Sequence, residues 1–115
     1  MGKSLLIVED EDAIRLTLRE FLTRKGYDVH VASDGVGAIR QLLDNNIDMI
    51  VSDYRMPSLG GDYWIRFLQH FCAEIPVLIT SGFLSPEIPI PFTVIYKPFD
   101  YGELEERIAS EIGRD

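Results

Sequence analysis

At 115 residues, 46% of them apolar, the chain has room for one domain over 1–115 and enough apolar surface to fold without metal or disulfide staples. The formal charge of -8, with its Lys and Arg scattered, excludes a nucleic-acid surface, which needs clustered cations. One cysteine, Cys72, excludes an internal disulfide and fits a reducing compartment, while the first apolar run is too short for a signal peptide or membrane span; a cytoplasmic location without membrane contact is expected.

Leu5 to Val8 is nearly unbroken apolar sequence, the pattern of a strand covered on both faces, and it ends at once in Glu9-Asp10-Glu11-Asp12. Ile14, Leu18, Phe21 and Leu22 then fall at i, i+4, i+7 and i+8, a helix that Gly26 stops. Tyr27 to Ala32 is a strand with polar Asp28 and His30, which suits a sheet edge. Ser33 or Asp34 caps the next helix, whose stripe is Ala38, Ile39, Leu42 and Leu43. Ile47 to Val51 is a second apolar strand. Trp64, Phe67, Leu68 and Phe71 repeat the helical stripe, and Val77 to Ile79 is a third apolar strand.

From Leu84 to Phe92 the prolines Pro86, Pro89 and Pro91 allow at most one helical turn, because each interior proline costs about 3 kcal/mol. Thr93 to Tyr96 is a second mixed strand. Leu104, Ile108 and Ile112 mark a last helix capped by Asp100. Strands separated by helices run parallel, so the class is α/β with helices on both faces. The second and fifth strands being the mixed ones favours a five-stranded order 2-1-3-4-5, with the fourth helix shortened or absent.

Ligands of such sheets bind beyond the carboxyl ends of the strands. The first strand ends in Glu9-Asp10, the third in Asp53, the fourth in Thr80-Ser81 and the fifth in Lys97. Three carboxylates in one cleft require a counter-charge, and oxygen donors of this kind suit a hard divalent cation, Mg2+ or alternatively Mn2+. Phosphoryl transfer needs a nucleophile, a metal and donors that hold the phosphoryl oxygens. Asp53 supplies the first, Glu9 and Asp10 carry the second, and Thr80 with Lys97 provides the third.

The chain resembles the receiver domains of bacterial response regulators, which are flavodoxin-like in fold, over essentially its whole length. The resemblance rests on Leu6-Ile7-Val8-Glu9-Asp10-Glu11, Ser52-Asp53-Tyr54-Arg55-Met56-Pro57, Pro76-Val77-Leu78-Ile79-Thr80-Ser81-Gly82 and Tyr96-Lys97-Pro98-Phe99, with Gly60-Gly61 following at the family's distance. It implies that Asp53 is phosphorylated, that Glu9, Asp10, Asp53 and the Arg55 backbone carbonyl bind the metal, and that Thr80 and Lys97 contact the phosphoryl group. It also implies a cis peptide between Lys97 and Pro98. The partners implied are a histidine kinase or phosphotransfer protein, with a downstream protein or a second copy on the output side. The domain would be a signalling device and not a conventional enzyme, limited to its own phosphorylation and autodephosphorylation.

The sequence departs from the family at Glu9, where Asp is frequent, and at Val94, where many receivers carry a switching aromatic. Tyr96 lies on the same strand face as Val94. Ser81-Gly82-Phe83 and the proline-rich segment resemble receivers of hybrid kinases and atypical stand-alone receivers. Two other readings compete. Asp10-Glu11-Asp12 has the form used by haloacid-dehalogenase-like phosphatases, but that reading leaves Asp53 unexplained. A degenerate receiver would bind partners without phosphorylation. His30, His70 and Cys72 have no ligand spacing around them and are expected to be structural.

Overall fold

A computed structural model describes residues 2–56, 58, 59, 61–82 and 90–113. The strands are β1 (Ser4–Val8), β2 (Asp28–Ala32), β3 (Met49–Asp53), β4 (Val77–Ser81) and β5 (Thr93–Tyr96). They form one parallel five-stranded sheet in the order β2-β1-β3-β4-β5. The helices are α1 (Asp12–Arg24), α2 (Gly35–Asp44), α3 (Gly61–Phe71) and α4 (Tyr101–Ile112). The expected topology and strand order are both present.

Alternation along the strands divides the core in two. Leu5, Ile7, Met49, Val51 and Leu78 pack with Leu18 and Leu22 of α1 and with Leu104 and Ile108 of α4. Leu6, Val8, Ile50, Val77 and Ile79 pack with Ala38 of α2 and with Trp64, Ile65 and Leu68 of α3. Burying one such Leu or Ile side chain contributes about 1.5–3 kcal/mol, so these two layers carry most of the stability.

Local chemistry sets the helix ends. Of the two candidate caps for α2, Asp34 is the one used: its Oδ1 accepts from the Gly37 amide at 2.8 Å. Asp100 does the same for α4, accepting from the Glu103 amide at 3.0 Å. Helix α1 ends where Gly26 takes φ 101°, a left-handed conformation open to glycine. The Tyr27 amide then reaches back to the Leu22 carbonyl at 3.2 Å, which completes the turn.

Two expectations are corrected. Strand β3 begins at Met49, not Ile47, and it ends at Asp53 as expected. Leu43 and Phe71, placed in core stripes by periodicity, are 79% and 76% exposed, and Ile65 is buried instead. Both lie in the last turn of their helices, where they flank an apolar groove of about 430 Å³ with Ile39, Leu42 and Phe67. The expectation for the proline-rich segment falls mainly on residues 83–89, outside the described residues; Ile90 to Phe92 contains no helical turn.

Candidate functional site

The site lies at the carboxyl ends of β1, β3, β4 and β5. Glu9 follows β1 and is 2% exposed; its amide donates to the Ala32 carbonyl of β2 at 3.0 Å, which extends the strand path by one residue. Asp10 is exposed beside it. Asp53 is 7% exposed, and its Oδ1 accepts from the amide of Tyr54 at 2.9 Å. One carboxylate oxygen from each of Glu9, Asp10 and Asp53 lies within 4.8 Å of the other two. The three predicted acidic residues therefore meet at one point.

Lys97 enters from the end of β5. Its amide donates to the Ser81 carbonyl at 2.8 Å, which holds the strand end beside β4, and the Lys97–Pro98 peptide is cis as the resemblance implies. Its Nζ lies 2.8 Å from Glu9 Oε1 and 3.3 Å from Asp53 Oδ2. Burial alone would lower the Lys97 ammonium, but the hydrogen bond to Glu9 and the charges of Asp53 and Glu9 hold it above its ordinary 10.5. Thr80 is buried and is the residue directly paired with Asp53 across β3 and β4, so both side chains leave the same face of the sheet. Arg55 is exposed at the start of the loop after β3.

The electrostatics are unbalanced. Burial, then the charge of Glu9, pushes the Asp53 carboxyl up from 3.8 to about 6, and Lys97 offsets only part of this. Three ionised carboxylates against one ammonium leave two negative charges, which is the deficit a divalent cation neutralises. All the side-chain donors are oxygen, as Mg2+ requires, and the cluster is open to water through Asp10.

Several supporting residues were not singled out by the sequence reading. Arg15 donates to the Glu9 carbonyl at 2.9 Å and pairs with Asp12 at 2.5 Å, tying α1 to the acidic turn. The Tyr54 hydroxyl donates to Asp62 Oδ1, and the Gly61 amide donates to the Tyr54 carbonyl at 2.6 Å, so Tyr54 closes both ends of the loop between β3 and α3. The same loop rests on α2: a Cβ on Gly35 would meet the Leu59 carbonyl oxygen at 2.2 Å. The indole of Trp64 donates to the Ser52 hydroxyl at 2.7 Å. Periodicity assigns Trp64 to the core and carries no signal for this bond. Neither histidine joins the site; His30 sits 3.4 Å from Asp28 on the edge strand, and Cys72 is buried in the core with its thiol pushed up by burial.

A family model described as the response regulator receiver domain matches residues 5–109. The chain is 32% identical over 116 residues to the transcriptional regulatory protein RprY of Bacteroides fragilis (strain YCH46), covering 96% of this chain and 49% of that protein. It is 34% identical over 109 residues to the sensor kinase CckA of Brucella abortus (strain 2308), covering 88% of this chain and 12% of that protein. The chain thus spans less than half the length of these curated relatives. Among solved structures, the receiver domain of the Francisella response regulator 1452 superposes with a TM-score of 0.84 at 29% identity, covering 94% of each chain.

Proposed function

The chain belongs to the response regulator receiver domain family of two-component signalling, and from that premise we propose that Asp53 is its phosphoacceptor. The donor is the phosphohistidine of a histidine kinase or phosphotransfer protein. A carboxylate oxygen of Asp53 forms the new bond to phosphorus, the N–P bond of the donor breaks, and its electron pair returns to the imidazole. The observation that carries this reading is the convergence of Glu9, Asp10 and Asp53 oxygens within 4.8 Å at the strand ends, with Lys97 Nζ 3.3 Å from Asp53.

Each residue has a task that follows from its position. Glu9, Asp10, Asp53 and the Arg55 carbonyl would hold Mg2+, or Mn2+ in its place, and the bound ion would supply positive charge against the phosphoryl oxygens. The Tyr54 amide, 2.9 Å from Asp53 Oδ1, fixes the carboxylate, which limits the directions from which the donor can approach. Lys97 is already within reach of Asp53 and, on phosphorylation, exchanges a carboxylate oxygen for a phosphoryl oxygen. Thr80, in register with Asp53, offers its hydroxyl to another phosphoryl oxygen. The movement of Lys97 and Thr80 toward the new anion is the conformational signal passed to a downstream protein or a second copy.

Residues 1–115 act as one receiver domain and not as a conventional enzyme. Among the described residues no helix is long and apolar enough to cross a membrane. The proposed site of action is the cytoplasm, where a single free cysteine, Cys72, is kept reduced. The test is incubation with acetyl phosphate and Mg2+ followed by phosphate-affinity electrophoresis. A retarded band in the parent and none in Asp53→Asn is expected. The same retarded band in Asp53→Asn would rule out the acceptor, and a retarded band in neither would favour a receiver that binds partners without phosphorylation.

A further inference from the structure

We infer that Trp64 is a positioning residue for Asp53, acting through the Ser52 hydroxyl; the inference rests on Asp53 being the phosphoacceptor. Ser52 occupies a core position. It follows Ile50 on the face of β3 that packs against α2 and α3, and it is fully buried. An apolar side chain would fill that place with no polar group to satisfy, so a hydroxyl there is tolerated only if hydrogen-bonded. Ser52 has two partners: its Oγ accepts from Trp64 Nε1 at 2.7 Å and donates to the Asp53 carbonyl at 2.9 Å.

The direction of this chain is fixed by its first member. An indole N–H can only donate, so it occupies a lone pair of Ser52 and turns the hydroxyl proton toward the Asp53 carbonyl. Without Trp64 the hydroxyl rotor is free. Trp64 is itself immobilised, fully buried and stacked on Phe67 with ring centroids 5.5 Å apart and planes 9° from parallel. The Asp53 carbonyl belongs to the planar peptide unit whose other end is the Tyr54 N–H. That N–H donates to Asp53 Oδ1 at 2.9 Å, and also to the Thr80 carbonyl at 2.9 Å.

One rigid plane therefore joins Trp64 and Ser52 to the carboxylate that receives phosphorus. Asp53 lies one residue past the end of the β1–β3 pairing, which stops at Val8 and Ser52, so the sheet constrains this peptide on one side only. The Ser52 hydroxyl supplies a restraint at its carbonyl. A tilt of the plane moves Oδ1 with it, and misplacement of a reacting group on the ångström scale is expensive in rate.

The experiment uses the full chain with Ser52→Ala, Ser52→Thr, Trp64→Phe and the double variant Ser52→Ala/Trp64→Phe. The readouts are the initial rate of phosphoryl uptake from acetyl phosphate at saturating Mg2+ and the emission of Trp64, the single tryptophan, on addition of Mg2+ and beryllofluoride. Ser52→Ala and Trp64→Phe should each slow uptake by about tenfold. The double variant should be no slower than Ser52→Ala, and Ser52→Thr, which keeps the hydroxyl, should recover most of the rate. The parent emission should change on beryllofluoride addition and that of Ser52→Ala should not. Parent-like uptake in folded Ser52→Ala would overturn the inference while leaving Asp53 as acceptor; this variant decides the matter even if Trp64→Phe does not fold. Absence of uptake in the parent would overturn the acceptor reading and this inference with it.

Discussion

Lys97 Nζ sits 2.8 Å from Glu9 Oε1 and 3.3 Å from Asp53 Oδ2, so one ammonium from β5 spans carboxylates that emerge from β1 and β3. Glu9 is almost fully buried, and its pairing is one that a burial penalty makes obligatory. Without the cation, two anions would face each other at the rim of the sheet. On the proposed reading, the same ammonium that stabilises the resting site also meets a phosphoryl oxygen on Asp53.

Lys97→Ala should accordingly fold but lose stability in the absence of Mg2+, by roughly 2 kcal/mol, because removing one partner leaves buried charge uncompensated. For a chain of this size that is on the order of a 10 °C fall in Tm. Added Mg2+ should restore more of the Tm in the variant than it adds to the parent. Thermal unfolding by circular dichroism with and without 10 mM-scale MgCl2 checks this, and an unchanged Tm in the variant would show that the Lys97 pairing is idle.

Asp53→Asn should stabilise the metal-free protein at neutral pH. The folded carboxyl titrates at about 6 against an ordinary 3.8, raised by burial first and by Glu9 second. A raised acid holds its proton more tightly in the folded state, so its favourable contribution is full below 3.8 and is lost as pH rises through about 6. The full span corresponds to about 3 kcal/mol, and solvent at the open rim reduces it to roughly 1 to 2 kcal/mol. Urea unfolding at pH 7.5 should show the variant as the more stable, with the difference vanishing near pH 4. A variant less stable than the parent at pH 7.5 would mean that the bond to Lys97 outweighs the burial of charge.

Why the site was legible and its support was not follows from where the signal lies. Glu9, Asp10, Asp53, Thr80 and Lys97 each follow an apolar run, and parallel strands bring their carboxyl ends together whatever the helices do. The sheet order came from two polar-spotted strands, which are indeed its edges. Ser52 and Trp64 are different: twelve positions apart, one on a strand and one on a helix, they meet through a hydrogen bond that no periodicity encodes. Leu43 and Phe71 erred the other way, because a helical stripe continues in sequence after the helix has overrun the sheet it covers.

Gly26→Ala should cost about 1 kcal/mol or more without touching the site. Its φ of 101° is a conformation that a Cβ disfavours, although nothing lies within 4 Å of where that Cβ would be. The penalty is therefore backbone strain and not a clash, and it should appear as a lower urea midpoint with an unchanged slope. Phosphoryl uptake by the folded variant should equal that of the parent. Equal stability of the two proteins would show that the turn relaxes to another conformation.

Mg2+ binding should weaken below about pH 6, because a proton and the cation compete for Asp53. Above that value the carboxylate is already ionised and affinity should be flat. Below it, each pH unit should lower apparent affinity by up to about tenfold, since one proton must leave for each ion bound. Titration calorimetry at pH 5, 6, 7 and 8 in buffers of different ionisation enthalpy would give both the affinity and the number of protons released. At pH 5 the release should approach one proton per ion and at pH 8 it should approach zero. A constant affinity across this range, with no proton released at pH 5, would mean that Asp53 does not ligate the ion and that the cation is held by Glu9 and Asp10 alone.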